Sequence, residues 1–166
     1  MAISPLAQRS IRVDTLLLRT MLVSFGSQNA RSPVRICVYC SSSDALDGIF
    51  LEAAQALGRE IGLRGHELVY GGASVGLMGA LARSTHRAGG QVTGIIPRMF
   101  AQRGLAYQAA DNLIITETLA QRKAAMIERA ESFVALPGGF GTLEELAEVL
   151  TLKQLGSLQS AVVLIN

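Results

Sequence analysis

The chain has 166 residues, 49% of them hydrophobic and 5% aromatic, with two cysteines and a formal net charge of +2 at pH 7. That length holds one domain with a real core. A near-neutral balance without a basic run excludes an electrostatic footprint for nucleic acid, and no apolar stretch approaches the ~20 residues of a membrane span.

Residues 1–33 differ from the rest. They carry Arg9, Arg12, Arg19 and Arg31 against one acid, Asp14, around the apolar run Leu16-Leu17-Leu18. They read as an N-terminal extension, a poorly ordered tail or a short helix. A targeting presequence is the alternative reading, as is an upstream start with Met21 as the true first residue. The core unit is expected over residues 34–166. Val34 to Tyr39 reads as a buried strand, and Ile49 to Leu63 as a helix with Leu51, Ala54, Leu57, Gly58 and Ile61 at helical spacing. Glu67 to Tyr70 is a second strand, Gly76 to Arg87 a second helix, and Val92 to Ile96 a third strand stopped by Pro97. Arg98 to Asp111 reads as a loop and Leu113 to Ile115 as a short strand. Leu119 to Ala130 is a helix, Phe133 to Leu136 a strand, Leu143 to Leu155 a helix and Ala161 to Ile165 a last strand.

Continuous apolar strands alternating with helices imply a parallel sheet covered on both faces. Right-handed crossovers make it a single α/β, doubly wound, Rossmann-like sheet. Ligands of such folds bind beyond the carboxyl ends of the strands, so the turns after the first, second and fifth strands converge on one crevice. Cys37 and Cys40 form a C-x-x-C in a strand, where residues three apart point to opposite faces. Two buried thiols in a reducing cytoplasm follow, rather than a redox pair at a helix N-terminus or a zinc site, for which a second pair is missing.

The most informative run is Leu136-Pro137-Gly138-Gly139-Phe140-Gly141-Thr142-Leu143-Glu144-Glu145. A glycine-rich turn from strand to helix brings backbone N–H groups and the helix dipole to bear on an anion. Gly138, Gly139, Gly141 and Thr142 are the expected phosphate anchor, and Glu145 is the general acid/base candidate. Thr142 to Glu145 also fits a capping box, a role compatible with catalysis once ligand is bound. Neither G-x-G-x-x-G nor the Walker pattern occurs at the glycine turns, so a nucleoside monophosphate or sugar phosphate fits better than a dinucleotide or ATP.

P-G-G-x-G-T-x-x-E over residues 137–145 resembles the signature of the LOG (Lonely Guy) family, cytokinin riboside 5′-monophosphate phosphoribohydrolases. Arg122-Lys123-Ala124-Ala125-Met126 resembles the family's R-K-x-x-M, Gly71 to Gly79 its G-G-x-x-x-G-L-M-G, and Ile36 to Ser43 its first strand and loop. The resemblance implies hydrolysis of the N-glycosidic bond of an N6-prenylated adenosine 5′-monophosphate, with Arg122 and Glu145 as catalytic pair. Lys123 and Thr151 join the binding residues. No metal or organic cofactor is implied, and a homodimer is. Alternatives are a general AMP nucleosidase, and a non-catalytic nucleotide or molybdenum-cofactor carrier of the same fold. A lysine decarboxylase would need a Schiff-base lysine, and only Lys123 and Lys153 are present. This chain departs from the family at Ser41, at Leu119-Ala120-Gln121, at Leu152 and at Met99, where an acidic residue is usual. It also ends at Asn166, where a further loop and helix is expected.

Overall fold

The computed structural model describes residues 32–165; the expectation for the N-terminal extension therefore lies almost wholly outside the described residues. Strands β1 (Arg35–Tyr39), β2 (Glu67–Tyr70), β3 (Gln91–Pro97), β4 (Asn112–Thr116), β5 (Ser132–Ala135) and β6 (Ala161–Leu164) form one six-stranded sheet in the order β4-β3-β2-β1-β5-β6. All its pairings are parallel. Helices α1 (Gly48–Leu63), α2 (Gly76–Arg87), α3 (Arg98–Ala101), α4 (Leu119–Arg129) and α5 (Phe140–Gln154) connect them. The chain winds outward from β1 to β4 and then returns to place β5 on the other side of β1. That reversal is the switch point at which a doubly wound sheet opens a crevice.

Each face has its own core. On one, Ile36, Val38, Leu68 and Val134 meet Ala54, Leu57 and Ile61 of α1 and Leu77 and Leu81 of α2. On the other, Cys37, Tyr39, Val69 and Phe133 meet Met126 of α4 and Val149 of α5. The strand alternation expected for the two cysteines holds: Cys37 lies in one core and Cys40 in the other, both free. Burial pushes both thiols up, away from the reactive range. Among the described residues no helix is long and apolar enough to cross a membrane.

The differences from expectation are local. The segment after β3 opens with the short helix α3 instead of running wholly as a loop. Leu51, at core spacing, is 39% exposed, because the buried face of α1 begins at Ala53 and Ala54. α5 starts at Phe140, three residues before the expected Leu143. Its N-cap is Gly139, so Thr142 lies inside the first turn and the capping box expected from Thr142 to Glu145 does not form. The chain's side-chain cap of this kind sits on α4, where Thr118 Oγ1 accepts from Gln121 N–H at 3.1 Å and Gln121 Oε1 accepts from Glu117 N–H at 3.0 Å.

Gly58 and Gly62, one turn apart, let α1 lie directly on α2. A Cβ at Gly62 would stand 2.6 Å from Thr85 O and 2.7 Å from Ala88 Cβ. Alanine normally gains about 0.5–1 kcal/mol over glycine inside a helix. Here overpacking against backbone outweighs that gain. Gly62→Ala is expected to lower the unfolding free energy by about 1–3 kcal/mol in urea titrations. Gly48→Ala, at an open position of the same helix, should leave it unchanged or slightly raised.

Candidate active site

A cavity of about 490 Å³ opens at the carboxyl edge of the sheet. The β1 loop lines it with Cys40 and Ser41 to Ser43, the β2 turn with Gly71, Ala73 and Val75, and the β5 turn with Gly139, Gly141, Thr142 and Glu145. The convergence expected of these three turns is therefore real. The sequence did not single out the rest of the wall: Ile96, Phe100 and Leu105 from β3 and the segment after it, and Leu119 at the start of α4. Ile96 reads as the end of a strand, Leu119 as the start of a helix, and Phe100 and Leu105 as loop residues; no signal in the sequence joins the four. From β5 to β3 the edge crosses three strand spacings, about 14 Å; the start of α5 lies at the β5 end, and Ile96, Phe100 and Leu105 line the β3 end.

Between these ends Arg122 and Glu145 meet. Arg122 Nη1 lies 2.5 Å from Glu145 Oε1, with side chains only 10% and 4% exposed. Arg122 Nε also donates to Ile95 O at 3.1 Å. The guanidinium fills the space that a Cβ on Gly71 would need, so a glycine after β2 is a steric requirement of the arginine. Burial pushes the Glu145 carboxyl above its ordinary value, and Arg122 opposes that shift without cancelling it. A carboxyl shifted upward by burial and set against an arginine is a candidate general acid/base.

The two glycine turns behave differently. At α2, Gly76 N–H is taken by Asp44 Oδ1 at 2.8 Å and Met78 N–H by Ser41 O at 3.2 Å, so the protein satisfies this helix end itself. At α5, no side chain caps the helix, and the N–H groups of Gly139, Phe140, Gly141 and Thr142 find no acceptor among the described residues. Gly139 and Gly141 have open space where a Cβ would stand and ordinary φ values. Nothing in the protein's own packing requires glycine at either position. What these residues provide is bare backbone facing the cavity, which suits an anion. Gly138 is different, because Thr142 packs into its Cβ position.

Two expected binding residues stand apart. Lys123 lies outside the cavity wall. Its Nζ pairs with Glu144 at 2.5 Å and Glu148 at 3.1 Å, and these partners hold its pKa up. Thr151, expected to line the pocket, does not: it faces outward and its hydroxyl donates to Ala147 O at 2.8 Å. Two helical turns from Thr142 carry it along α5 and away from the crevice. Met126 is fully buried in the core.

A pyridoxal group does not fit these residues. Its Schiff base needs an unpaired lysine in the cavity, whereas Lys123 is held by two glutamates and Lys153 donates to Ser160 O.

The raised Glu145 carboxyl predicts a signed pH effect. The native state holds this proton to higher pH than the unfolded chain, whose value is near the ordinary 4.5. The group's contribution to stability is therefore full below that value and is lost as pH rises through the native value. Glu145→Gln should gain stability relative to the parent as pH rises from 4 to 7 in denaturant titrations. A flat or falling difference contradicts the assignment.

Residues 78–166 match a family model described as "Possible lysine decarboxylase". The chain is 44% identical over 132 residues to a cytokinin riboside 5′-monophosphate phosphoribohydrolase of Arabidopsis thaliana, covering 80% of this chain and 61% of that protein. It is 43% identical over 132 residues to one of Oryza sativa subsp. japonica, covering 80% and 54%. The chain thus spans little more than half the length of these curated relatives. Among solved structures, it resembles the molybdenum cofactor carrier protein of Chlamydomonas reinhardtii (TM-score 0.67, 28% identity, 81% of this chain and 76% of that one). It also resembles the molybdenum cofactor binding protein of Rippkaea orientalis (TM-score 0.65, 28% identity, 81% and 77%). With a family model matching more than half of its length and relatives at this level of identity, the chain belongs to the LOG family, the one whose model carries the description "Possible lysine decarboxylase".

Proposed function

We propose that this protein hydrolyses the N-glycosidic bond of an adenosine 5′-monophosphate, N6-prenylated in the preferred substrate, to free base and ribose 5-phosphate. The observation that carries this reading is the placement of the buried Arg122–Glu145 pair beside the uncapped N-terminus of α5 within one cavity. The bare N–H groups of Gly139 to Thr142 take the phosphate. Glu145 faces the ribose, where its negative charge stabilises the cation that develops as the bond breaks. It takes one proton from the attacking water. The C1′–N bond breaks with its electron pair going to the base, the new bond forms from C1′ to the water oxygen, and the base leaves with a proton taken up from solvent. Arg122 fixes the carboxylate's position and keeps it from withdrawing into the core. The apolar wall of Ile96, Phe100, Leu105 and Leu119 suits a prenyl chain.

Ribose 5-phosphate release from AMP and from isopentenyladenosine monophosphate tests this. Glu145→Gln should lower kcat by at least about 100-fold. Gly141→Ala should stabilise the fold by about 0.5–1 kcal/mol while raising KM for both substrates, because the added methyl stands where the anion approaches. A second reading, a non-catalytic carrier, is supported by the likeness to molybdenum cofactor carrier proteins. It requires AMP binding without release of ribose 5-phosphate.

The same reading gives a homodimer in the cytoplasm. Phe140 is 91% exposed, and Leu143, Leu155 and Leu164 are all more than half exposed along α5 and β6, an apolar surface that a second copy would cover. Sedimentation velocity should give twice the chain mass, and Phe140→Glu should shift it toward the monomer. The free buried cysteines suit a reducing compartment, which cell fractionation checks.

A further inference from the structure

The wall of the cavity formed by Leu105 belongs to the segment between α3 and β4, which regular structure does not hold. Gly104 starts it with a left-handed φ of 73°. Its near end is tied to the β2 turn: Ser74 N–H donates to Leu105 O at 2.8 Å, Ser74 Oγ donates to the same oxygen at 3.1 Å, and Tyr107 N–H donates to Gly72 O at 2.9 Å. An isolated bridge pairs Ala73 with Ala106. These bonds fix where Leu105 stands, and they also join it to Gly72 and Ala73, beside Gly71 and the Arg122 guanidinium.

The far end is held from outside the cavity by one residue of α2. His86 Nδ1 is 3.0 Å from the Tyr107 hydroxyl, and His86 Nε2 is 2.8 Å from Asp111 Oδ2. The two rings lie 5.5 Å apart. Asp111 Oδ2 also accepts from Val92 N–H at 2.7 Å, which ties the segment to the start of β3. Partial burial works to raise the Asp111 carboxyl, but the bonds from His86 and Val92 outweigh it and hold the pKa below its ordinary value. The carboxylate is therefore charged and bound throughout the physiological range. One imidazole thus fastens two points of the segment, four residues apart, to the last turn of α2. None of the three side chains lines the cavity.

We propose that His86 is a positioning residue: bridging Tyr107 and Asp111, it holds the Leu105 wall closed and so sets affinity for the ligand without taking part in bond cleavage. The near end has its own bonds to the β2 turn, and Asp111 has its bond to Val92 N–H; the tie from Tyr107 to α2 is what His86 adds. With the bridge cut, Tyr107 keeps its backbone bonds and its packing against the core, but the tie from α2 to the far side of the Leu105 wall is lost. The chemistry at Arg122 and Glu145, fixed by α4, α5 and β3, does not depend on this bridge.

The test has two arms, and only the second rests on the nucleotide reading above. In the first, amide hydrogen exchange of the ligand-free protein is compared for the parent, His86→Ala, Tyr107→Phe and His86→Gln. Faster exchange at Ser74 and Tyr107 in His86→Ala and Tyr107→Phe, with α1 and α4 unchanged and with recovery in His86→Gln, is the expected result. The glutamine amide offers one donor and one acceptor in place of the two ring nitrogens. In the second arm, the Kd for AMP and the kcat and KM for ribose 5-phosphate release are measured on the same proteins. Kd and KM should rise about three- to tenfold, the worth of one or two hydrogen bonds, with kcat within about twofold of the parent. Unchanged exchange at Ser74 and Tyr107, or a fall in kcat at constant KM, overturns the proposal. A parent protein that neither binds nor cleaves AMP contradicts the nucleotide reading instead, and the exchange arm still decides whether His86 holds the wall. Tyr107→Phe, which removes one oxygen, keeps the test valid if His86→Ala fails to fold.

Discussion

The structure of the site depends on the burial of one ion pair. Arg122 and Glu145 lie on different helices, and each is almost wholly removed from water. A buried charge that loses its partner costs about 3–5 kcal/mol, so α4 and α5 are held to the register in which the two groups meet. The third point is β3, whose Ile95 carbonyl accepts from the Arg122 Nε. The pair therefore joins the outward half of the winding to the returning half across the switch point. The glycine after β2 follows from this arrangement, since the guanidinium occupies the volume a side chain there would need.

The two glycine-rich turns resemble one another in composition and differ in what they leave open. Around α2 the glycines serve packing and connection, and the N–H groups at its start are consumed by Asp44 and by the β1 loop. Around α5 the N–H groups remain unpaired, and the residues that expose them are glycines that the protein's own packing does not require. A helix end left unsatisfied beside a cavity is held in reserve for a ligand acceptor. The site then runs from bare backbone at the start of α5, through the Arg122–Glu145 pair, to aliphatic and aromatic side chains at β3.

What supports the site differs from part to part. The ion pair rests on regular elements, with Glu145 on α5 and Arg122 on α4 below a side-chain cap at Thr118. The apolar end rests partly on irregular chain, fastened to β2 by backbone bonds and to α2 by His86. Rigid elements suit chemistry that demands fixed geometry, whereas fastened loops suit a wall that adapts to ligand shape.

Much of this was legible in the residues. The strand and helix periods gave the parallel sheet, and the opposite faces of Cys37 and Cys40 followed from a two-residue repeat. The convergence of three turns followed from the rule that ligands bind at the carboxyl edge. Arg122 and Glu145 were named through a motif, but their contact was not readable, because 23 positions separate them and only the packing of α4 and α5 on the same face of the sheet closes that distance. The start of α5 was misplaced for a related reason: Thr142 has a good capping side chain, yet the extended backbone at Gly139 begins the helix three residues earlier. Thr151 and Lys123 share helices with site residues and still miss the cavity, since a helix presents only one stripe to a crevice and tertiary contacts choose which. The sequence by itself determined the element types and the chemistry available at the edge of the sheet, because these depend on local periodicity and composition. Only the tertiary structure decided which groups pair, which N–H donors stay free and which loop forms the wall, because those are set by contacts between residues far apart in the chain.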